Sequence, residues 1–325
     1  MRVISMREAI NEALHEEMAR DNKVFVLGLD VGKMGGDFGV TKGLWAKYGP
    51  KRVRDTPLSE AAILGVANGA AFAGYRPVAE IMFADFLTEC FDQIVNYTAK
   101  AHYMFAGQLK APLVVRTPTG AGMRAAYHHS QNVESWFLNV PGLTIVAPST
   151  PYDAKGLLIS SIRDDNPVIF LEHKMLYSFK GEVPEQTYQI PIGKADIKKQ
   201  GNDVTVITSM RMTHLCLNAA KKLAAQGINV EVIDMRTLLP IDKETIFASV
   251  AKTGRVVTVF EAPKTGGYGS EIGMMIAEEM FEFLQAPIKR VASLDVPVPF
   301  APSLEDYVLP NEIDIEQAIQ KIVRF

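Results

Sequence analysis

One carboxylate, Glu60, stands at the start of a long uncharged segment and is a candidate for acid–base chemistry. From Ala61 to Gly74 the residues are small or apolar nearly throughout, which predicts a helix buried on every face. Ser59 is a favourable N-cap, so Glu60 falls in the first helical turn. There the side chain either complements the helix dipole at the surface or exchanges protons in an apolar setting. The segment alone leaves both readings open.

Two adjacent histidines, His128 and His129, form a second candidate for proton transfer. They come just after the glycine-rich turn 117–122, which follows a predicted strand. In open parallel sheets, ligands bind beyond the carboxyl ends of the strands. No Cys or Asp lies nearby at the spacing of metal ligands, so the pair favours acid–base work over metal binding.

Aromatic residues are frequent between positions 83 and 105. We assign most of them to core packing, while Phe86, close to a predicted strand end, could stack on a planar ligand. The set is Phe83, Phe86, Phe91, Tyr97, Tyr103 and Phe105.

The usual phosphate-binding loops do not occur in the sequence. There is no GxGxxG after a strand, no GxxxxGK[ST], and no Gly-Asp-Gly with a downstream Asn. The run 266–269, GGYG, follows a predicted strand and opens a helix. It could hold an anion, but close backbone packing is the favoured interpretation. The pattern therefore predicts a parallel-sheet pocket without a phosphate site of its own.

Composition places the chain among ordinary globular proteins. Its 325 residues favour two domains, and a net charge of −3 gives no general attraction to nucleic acid or anionic membranes. Cys90 and Cys216 lie far apart among apolar neighbours, which is typical of reduced core cysteines. We find neither a secretory signal nor an apolar run that could span a bilayer. These features predict a cytoplasmic protein.

Short apolar strands alternate with helices twice along the chain. This pattern predicts an α/β fold with two doubly wound domains, each built on a mainly parallel sheet. The stretch 174–200 breaks the rhythm, so we place an N-terminal domain at 1–180, a linker at 181–200 and a smaller C-terminal domain at 201–325. Three of the predicted helices run from 5 to 20, from about 85 to 105, and from the histidine pair to about 141.

Several motifs in order resemble the beta subunit of thiamine-diphosphate-dependent 2-oxo acid dehydrogenases. This subunit belongs to the decarboxylating first component of those complexes, in the transketolase superfamily. The motifs are DTPLSE (55–60), EIMFADF (80–86), GAG (120–122), HHSQ (128–131), PSTPYDAKGLL (148–158), IRDDNPVIFLEHK (162–174) and GEVPE (181–185). EIMFADF, PYDAKGLL and LYSFKGEVPE are most similar to the acetoin dehydrogenase branch, with the pyruvate and branched-chain subunits close behind.

The resemblance implies roles for individual residues. The pyrimidine half of thiamine diphosphate would bind this chain, while the diphosphate and Mg2+ would bind a separate alpha subunit. Glu60 would hydrogen-bond the pyrimidine nitrogen N1′, and His129 would assist at the substrate carbonyl and in transfer to lipoamide. Leu58 and Met82 would line the pyrimidine slot, and Phe86 would stack on the ring. Glu89 occupies its family position in an acidic relay near the cofactor.

A structural K+ ion is also implied by the resemblance. Relatives bind it through main-chain carbonyls, and the matching positions are Leu113, Ser161, Asp164 and Asn166. One departure concerns the relay: the family reads Gly-Glu-Asp-Val after the first strand, where this chain has Leu29 in place of the glutamate. Leu29 cannot carry a proton, although the chemistry at Glu60 does not depend on it.

The activity implied is cleavage of acetoin or a 2-oxo acid and transfer of the acyl group to lipoamide, with pyruvate or branched-chain substrates as the alternatives. The chain would act in an alpha-two beta-two heterotetramer docked to a lipoyl acyltransferase core. A hypothesis of another class is a non-catalytic docking subunit that holds the core through its C-terminal domain and the carboxylate of Phe325.

Overall fold

The computed structural model describes residues 1–325, which form two compact units. The N-terminal unit comprises Met1–Thr119 and Trp136–Ile192, and the C-terminal unit comprises Gly120–Ser135 and Gly193–Phe325. We name Gly120–Ser135 the histidine loop. It groups with the C-terminal unit although the chain on either side of it belongs to the N-terminal unit.

The N-terminal unit is built on a parallel sheet. Its strands are β1 (Arg2–Ser5), β2 (Val24–Gly28), β3 (Val53–Asp55), β4 (Arg76–Glu80), β5 (Val114–Thr119), β6 (Thr144–Val146), β7 (Val168–His173) and β8 (Lys180–Val183). Its α-helices are α1 (Met6–Arg20), α2 (Leu44–Tyr48), α3 (Glu60–Phe72), α4 (Ala101–Met104) and α5 (Pro151–Arg163). Six strands lie side by side in the order β6-β7-β5-β4-β2-β3, every neighbouring pair parallel. Strands β1 and β8 form a separate antiparallel pair. The predicted fold class is confirmed.

Local sequence signals account for the regular elements. Helix α1 begins with a capping box, in which Ser5 Oγ accepts from the Glu8 amide and Glu8 Oε2 accepts from the Ser5 amide at 2.7 Å. Strand β2 is buried at all five positions, as expected of a parallel strand covered on both faces. Both cysteines are free and buried, as predicted.

Helix α3 is not buried on every face, so that prediction was wrong. Ile63, Leu64 and Ala67 face the core, while Gly65 and Gly69 are exposed. The exposed side also carries Ala61, Ala62 and Val66, and Val66 is 55% exposed. The absence of charge in this helix therefore reflects an exposed apolar face as well as a buried one.

The helix predicted from 85 to 105 is a broken series of short helical segments. Ala84–Cys90 is a 3-10 helix, Gln93–Thr98 is a π-helix, and α4 follows. The carbonyl of Gln93 accepts from Thr98 Oγ1 at 2.7 Å and from Asn68 Nδ2 at 3.0 Å. These side chains occupy an acceptor that the regular i→i+4 ladder would use, which accounts for the wider π register.

Most of the aromatic side chains in this region do not pack in the core. Tyr97, Tyr103 and Phe105 are each more than half exposed, and Phe91 is also exposed. The core role predicted for them was wrong, because the broken helix turns these rings outward.

The C-terminal unit is a second parallel sheet covered by helices. Its strands are β9 (Asp196–Lys199), β10 (Val204–Thr208), β11 (Val230–Asp234), β12 (Thr237–Leu239), β13 (Val256–Pro263) and β14 (Lys289–Ser293). Its α-helices are α6 (Met210–Ala224), α7 (Lys243–Thr253), α8 (Tyr268–Glu279), α9 (Pro302–Val308) and α10 (Glu312–Val323). Five strands run in the order β14-β13-β10-β11-β9, with only β9 antiparallel to its neighbour. Apolar residues of α6, α10 and the central strands form its core.

The glycine run before α8 serves close packing. A Cβ on Gly269 would lie 2.6 Å from Thr258 Oγ1, and one on Gly267 would lie 2.5 Å from the Pro263 carbonyl oxygen. Only residues without side chains allow this approach, which supports the packing interpretation over anion binding.

The domain boundaries at 1–180, 181–200 and 201–325 stay a prediction. Within the predicted linker the structure forms the rest of β8, which pairs with β1, and the whole of β9, which pairs with β11. None of the helices has both the length and the apolar character needed to cross a membrane.

Candidate active site

The predicted cofactor residues of the N-terminal unit follow two strands of the same sheet at their carboxyl ends, with one strand between them. Leu58 and Glu60 come after β3, while Met82 and Phe86 come after β4. Both strands flank β2 in parallel, so their carboxyl ends meet at one edge of the sheet. This is the edge where ligands bind in folds of this kind.

Glu60 is the first residue of α3, and its carboxylate is available for a ligand. The side chain is half-buried, and no hydrogen bond or salt bridge within the chain engages it. Ser59 precedes the helix as predicted, but its side chain makes no capping hydrogen bond. The helix N-terminus favours a negative charge at this position, so a carboxylate is stabilised there without a partner.

Cys90 links Glu60 to a second acidic residue. Burial raises the pKa of the Cys90 thiol to about 12, and the nearby charges of Glu60 and Glu89 contribute to the rise. Both predicted carboxylates therefore act electrostatically on one buried thiol. A thiol held protonated is a poor nucleophile, so Cys90 acts here as packing beside the acidic pair.

The predicted walls of the pyrimidine slot differ in exposure. Leu58 is 72% exposed, whereas Met82 and Phe86 are half-buried. Glu89 is exposed. Apolar side chains and an acidic residue therefore follow the same end of the sheet.

A buried ion network, missed by the sequence analysis, lies within the same sheet. Arg116 on β5 donates to Glu80 on β4 at 2.7 Å and to both carboxylate oxygens of Glu172 on β7. Tyr177 Oη also donates to Glu172, at 2.8 Å. Burial raises the pKa of Glu80 against the opposing effect of Arg116, and the two carboxylates raise the pKa of Arg116. The pairing of three strands that are distant in the sequence brings these charges together. The residue pattern within one strand does not reveal which charges will meet.

Two of the four main-chain carbonyls predicted for K+ already accept hydrogen bonds. Leu113 oxygen accepts from the Val168 amide at 2.9 Å, and Asp164 oxygen accepts from Arg76 Nη1 at 2.8 Å. A carbonyl oxygen has two lone pairs, so both could still ligate a cation. Ser161 lies in α5, and Asn166 follows the end of that helix. The K+ site stays a prediction.

The histidine loop is irregular, so the helix predicted to run from the histidine pair to about 141 was wrong. Only Glu134–Trp136 forms a short 3-10 turn. The rings of Tyr127, His128 and His129 lie in a row, with centroids 4.6 and 4.4 Å apart. Tyr127 and His128 are exposed and His129 is half-buried. The loop thus carries three adjacent rings with polar atoms, and two of them are exposed.

Comparison with known proteins identifies the class. Residues 2–180 match the family model "Transketolase, pyrimidine binding domain", and residues 193–315 match "Transketolase, C-terminal domain". A solved split-gene transketolase, described as an inactive beta4 tetramer, aligns with a TM-score of 0.81 and 27% identity over 99% of this chain and 98% of that chain. A transketolase from Pichia stipitis aligns with a TM-score of 0.71 and 14% identity, which shows likeness of fold.

Curated relatives narrow the family. The chain is 49% identical to the 2-oxoisovalerate dehydrogenase subunit beta of Bacillus subtilis, over the full length of both. It is 48% identical to the acetoin:2,6-dichlorophenolindophenol oxidoreductase subunit beta of Cupriavidus necator, covering 99% of this chain and 98% of the relative. It is also 48% identical to the pyruvate dehydrogenase E1 component subunit beta of Rickettsia felis, over 98% of each. The chain therefore belongs to the transketolase-like beta subunits of the 2-oxo acid and acetoin dehydrogenases, which confirms the resemblance.

Proposed function

We propose that the chain is the beta subunit of a thiamine-diphosphate-dependent dehydrogenase component and binds the pyrimidine half of the cofactor. The observation that carries this proposal is the Glu60 carboxylate, which is free of partners at the N-terminus of α3. Membership of the pyrimidine-binding family and relatives named as dehydrogenase beta subunits support it.

The residues present fit an aminopyrimidine. The Glu60 carboxyl group would share a proton with ring nitrogen N1′, Leu58 and Met82 would border the ring, and Phe86 would stack against it. Glu89 would add negative charge beside Glu60. When bound, thiamine diphosphate would supply a nucleophilic carbon for addition to a carbonyl and a positively charged ring that takes up the electron pair when the adjacent carbon–carbon bond breaks.

The substrate proposed is acetoin or a 2-oxo acid, whose acyl group passes to lipoamide. His129 would hold or move a proton at the substrate carbonyl oxygen, a role suited to imidazole near neutral pH. Acetoin is our preference from the sequence motifs, with pyruvate and branched-chain 2-oxo acids as the alternatives. Identities of 49%, 48% and 48% to relatives of all three kinds do not separate these substrates.

The partners proposed are an alpha subunit, in an alpha-two beta-two heterotetramer, and a lipoyl acyltransferase core. The alpha subunit would carry the diphosphate and Mg2+, and K+ would be bound through backbone carbonyls of this chain. The related structure described as an inactive beta4 tetramer supports the need for a second kind of subunit. The exposed apolar side of α3 and the exposed Tyr103 and Phe105 offer surface for such contacts. We place the assembly in the cytoplasm.

A binding and activity experiment on Glu60→Gln tests the proposal. Glutamine preserves the shape of the side chain but cannot exchange a proton with N1′, so we expect activity of the reconstituted alpha–beta enzyme to fall at least 100-fold. Glu185→Gln, at an exposed glutamate outside the site, is the matched control and should retain full activity. Activity is measured with acetoin, pyruvate and 2-oxoisovalerate in parallel, which also identifies the substrate.

Titration of thiamine diphosphate and Mg2+ separates the remaining readings. Tight binding to the alpha–beta mixture but not to the isolated chain would support a divided site. Tight Mg2+-dependent binding to the chain alone would overturn it. Full activity of Glu60→Gln would instead support the non-catalytic docking subunit.

A further inference from the structure

The histidine loop is fastened to the C-terminal unit by two buried carboxylates, Glu261 and Glu305. We propose that they are positioning residues, which hold the loop in the conformation that presents His129 for proton transfer. The inference rests on the proposed role of His129 in catalysis. Neither carboxylate was singled out by the sequence, because their partners lie 140 and 183 residues away along the chain.

Glu261 draws the two ends of the loop together. It lies on β13 and is 5% exposed. A single oxygen, Oε1, accepts from the Ala121 amide at 2.7 Å and from Asn132 Nδ2 at 3.0 Å. These two donors lie on opposite sides of the histidine pair in the sequence. A third bond, from the Gly120 amide to the Gln131 carbonyl at 3.1 Å, closes the loop at its base.

Glu305 holds the first half of the loop. It lies on α9 and is fully buried. Its Oε1 accepts from the Gly122 amide at 2.7 Å, and its Oε2 accepts from Arg124 Nη1 at 2.9 Å. Arg124 also donates to the exposed Asp306 at 2.7 Å. Each carboxylate oxygen of Glu305 therefore has a separate loop donor, whereas Glu261 collects its two loop donors on one oxygen.

The backbone of the loop needs such support. Gly120 and Gly122 adopt φ values of 87° and 100°, and Arg124 and Ala126 adopt φ of 60° and 61°. Left-handed backbone is unfavourable for residues with a side chain, so Arg124 and Ala126 keep this conformation only if surrounding contacts impose it. Charge-assisted hydrogen bonds that backbone amides donate to buried carboxylates are strong enough to do so. His128 and His129 follow directly after this constrained segment.

The chemistry of the two carboxylates predicts different responses to substitution. Glu261→Ala and Glu305→Ala should each lower kcat of the reconstituted enzyme at least tenfold, with KM changed less than threefold. Glu261→Gln should recover most of the lost activity, because its amide oxygen can still accept from both Ala121 and Asn132. It does lose the long 3.4 Å hydrogen bond from Arg211 Nη1 to Oε2. Glu305→Gln should recover much less, since an amide offers Gly122 or Arg124 an acceptor but not both.

Two controls separate positioning from general stability. Glu231 is another buried carboxylate of the same sheet, paired with Lys252 and without contact to the loop. Glu231→Gln should lower the melting temperature without lowering kcat in the folded enzyme. Asp306→Asn removes only the exposed partner of Arg124 and should leave kcat within twofold.

Hydrogen exchange gives a readout that does not depend on catalysis. In the full chain we expect the amides of Ala121 and Gly122 to be protected, and Glu261→Ala and Glu305→Ala to exchange them at least tenfold faster. Unchanged exchange would overturn the proposal, and so would equal loss of kcat in Glu231→Gln. If exchange responds as expected but His129→Ala is fully active, the proposed catalytic role of His129 fails while the fastening of the loop stands.

Discussion

At the scale of single residues, Glu134 shows how burial can set a titration without any basic partner. This carboxyl group is 1% exposed at the end of the histidine loop. Burial raises its pKa to about 7, with a smaller contribution from the negative charge of Glu261. The folded protein therefore holds a proton at Glu134 at pH values where the unfolded chain has released it.

Stability should consequently fall as the pH rises. Below pH 4.5 both states carry the proton, and between pH 4.5 and 7 only the folded state keeps it, so the free energy of unfolding decreases by up to about 3 kcal/mol. Glu134→Gln removes this dependence because its amide does not ionise. We expect the variant to be more stable than the wild type at pH 8 and similar at pH 5, as measured by urea unfolding. Equal effects at both pH values would contradict the assignment.

Arg116 differs from Glu134 because it has charged partners. Two buried carboxylates are compensated by this single cation. Arg116→Met would leave Glu80 and Glu172 without their partner in a sheet interior where all three are nearly inaccessible. We expect a loss of about 3–5 kcal/mol in unfolding free energy, measured by chemical denaturation. The matched control is Lys243→Met, which breaks the exposed pair with Glu279 and should cost about 1 kcal/mol or less. Similar losses in both variants would argue against the network.

At the scale of elements, α3 departs from its expected environment in an informative way. A Cβ added at Gly69 would have no neighbour within 4 Å, so a side chain fits there in the isolated chain. Gly69→Leu should leave the isolated chain as stable or more stable by about 0.5–1 kcal/mol, since leucine favours helix. If the exposed face contacts another subunit, the same change should weaken assembly.

Size-exclusion chromatography with the alpha subunit measures that effect. Ala224→Leu, an apolar substitution on the exposed side of α6, is the control and should assemble normally. Unimpaired assembly of Gly69→Leu would show that this face of α3 lies outside the interface.

The sequence predicted some helices and strands correctly and others wrongly. The helix predicted from 5 to 20 and the alternation of strands with helices depend on neighbours in the chain, and both were predicted correctly. The burial of α3 and the helix expected after His129 were not, because their outcome depends on distant groups. Glu261 and Glu305 accept from the Ala121 and Gly122 amides just before the histidine pair, and nothing near residue 129 signals their presence.

The sequence also predicted some features of the candidate site and missed others. Motifs selected Glu60, Leu58, Met82 and Phe86, and the structure places them after the carboxyl ends of β3 and β4, the two strands that flank β2. Two properties follow only from the three-dimensional structure: the Glu60 carboxylate has no partner within the chain, and Glu60 and Glu89 both act electrostatically on Cys90. The roles of these residues in binding and catalysis remain predictions for the experiments above.

At the scale of the whole molecule, the chain does not divide at one point. The C-terminal unit takes Gly120–Ser135 from the middle of the sequence that otherwise builds the N-terminal unit. This discontinuity has a consequence for synthesis. On the ribosome, residues 120–135 emerge before Glu261 and Glu305, by roughly six to forty seconds at ordinary elongation rates. During that interval the histidine loop lacks the two carboxylates that bind it in the folded protein. Its final conformation is therefore reached only when translation is nearly complete.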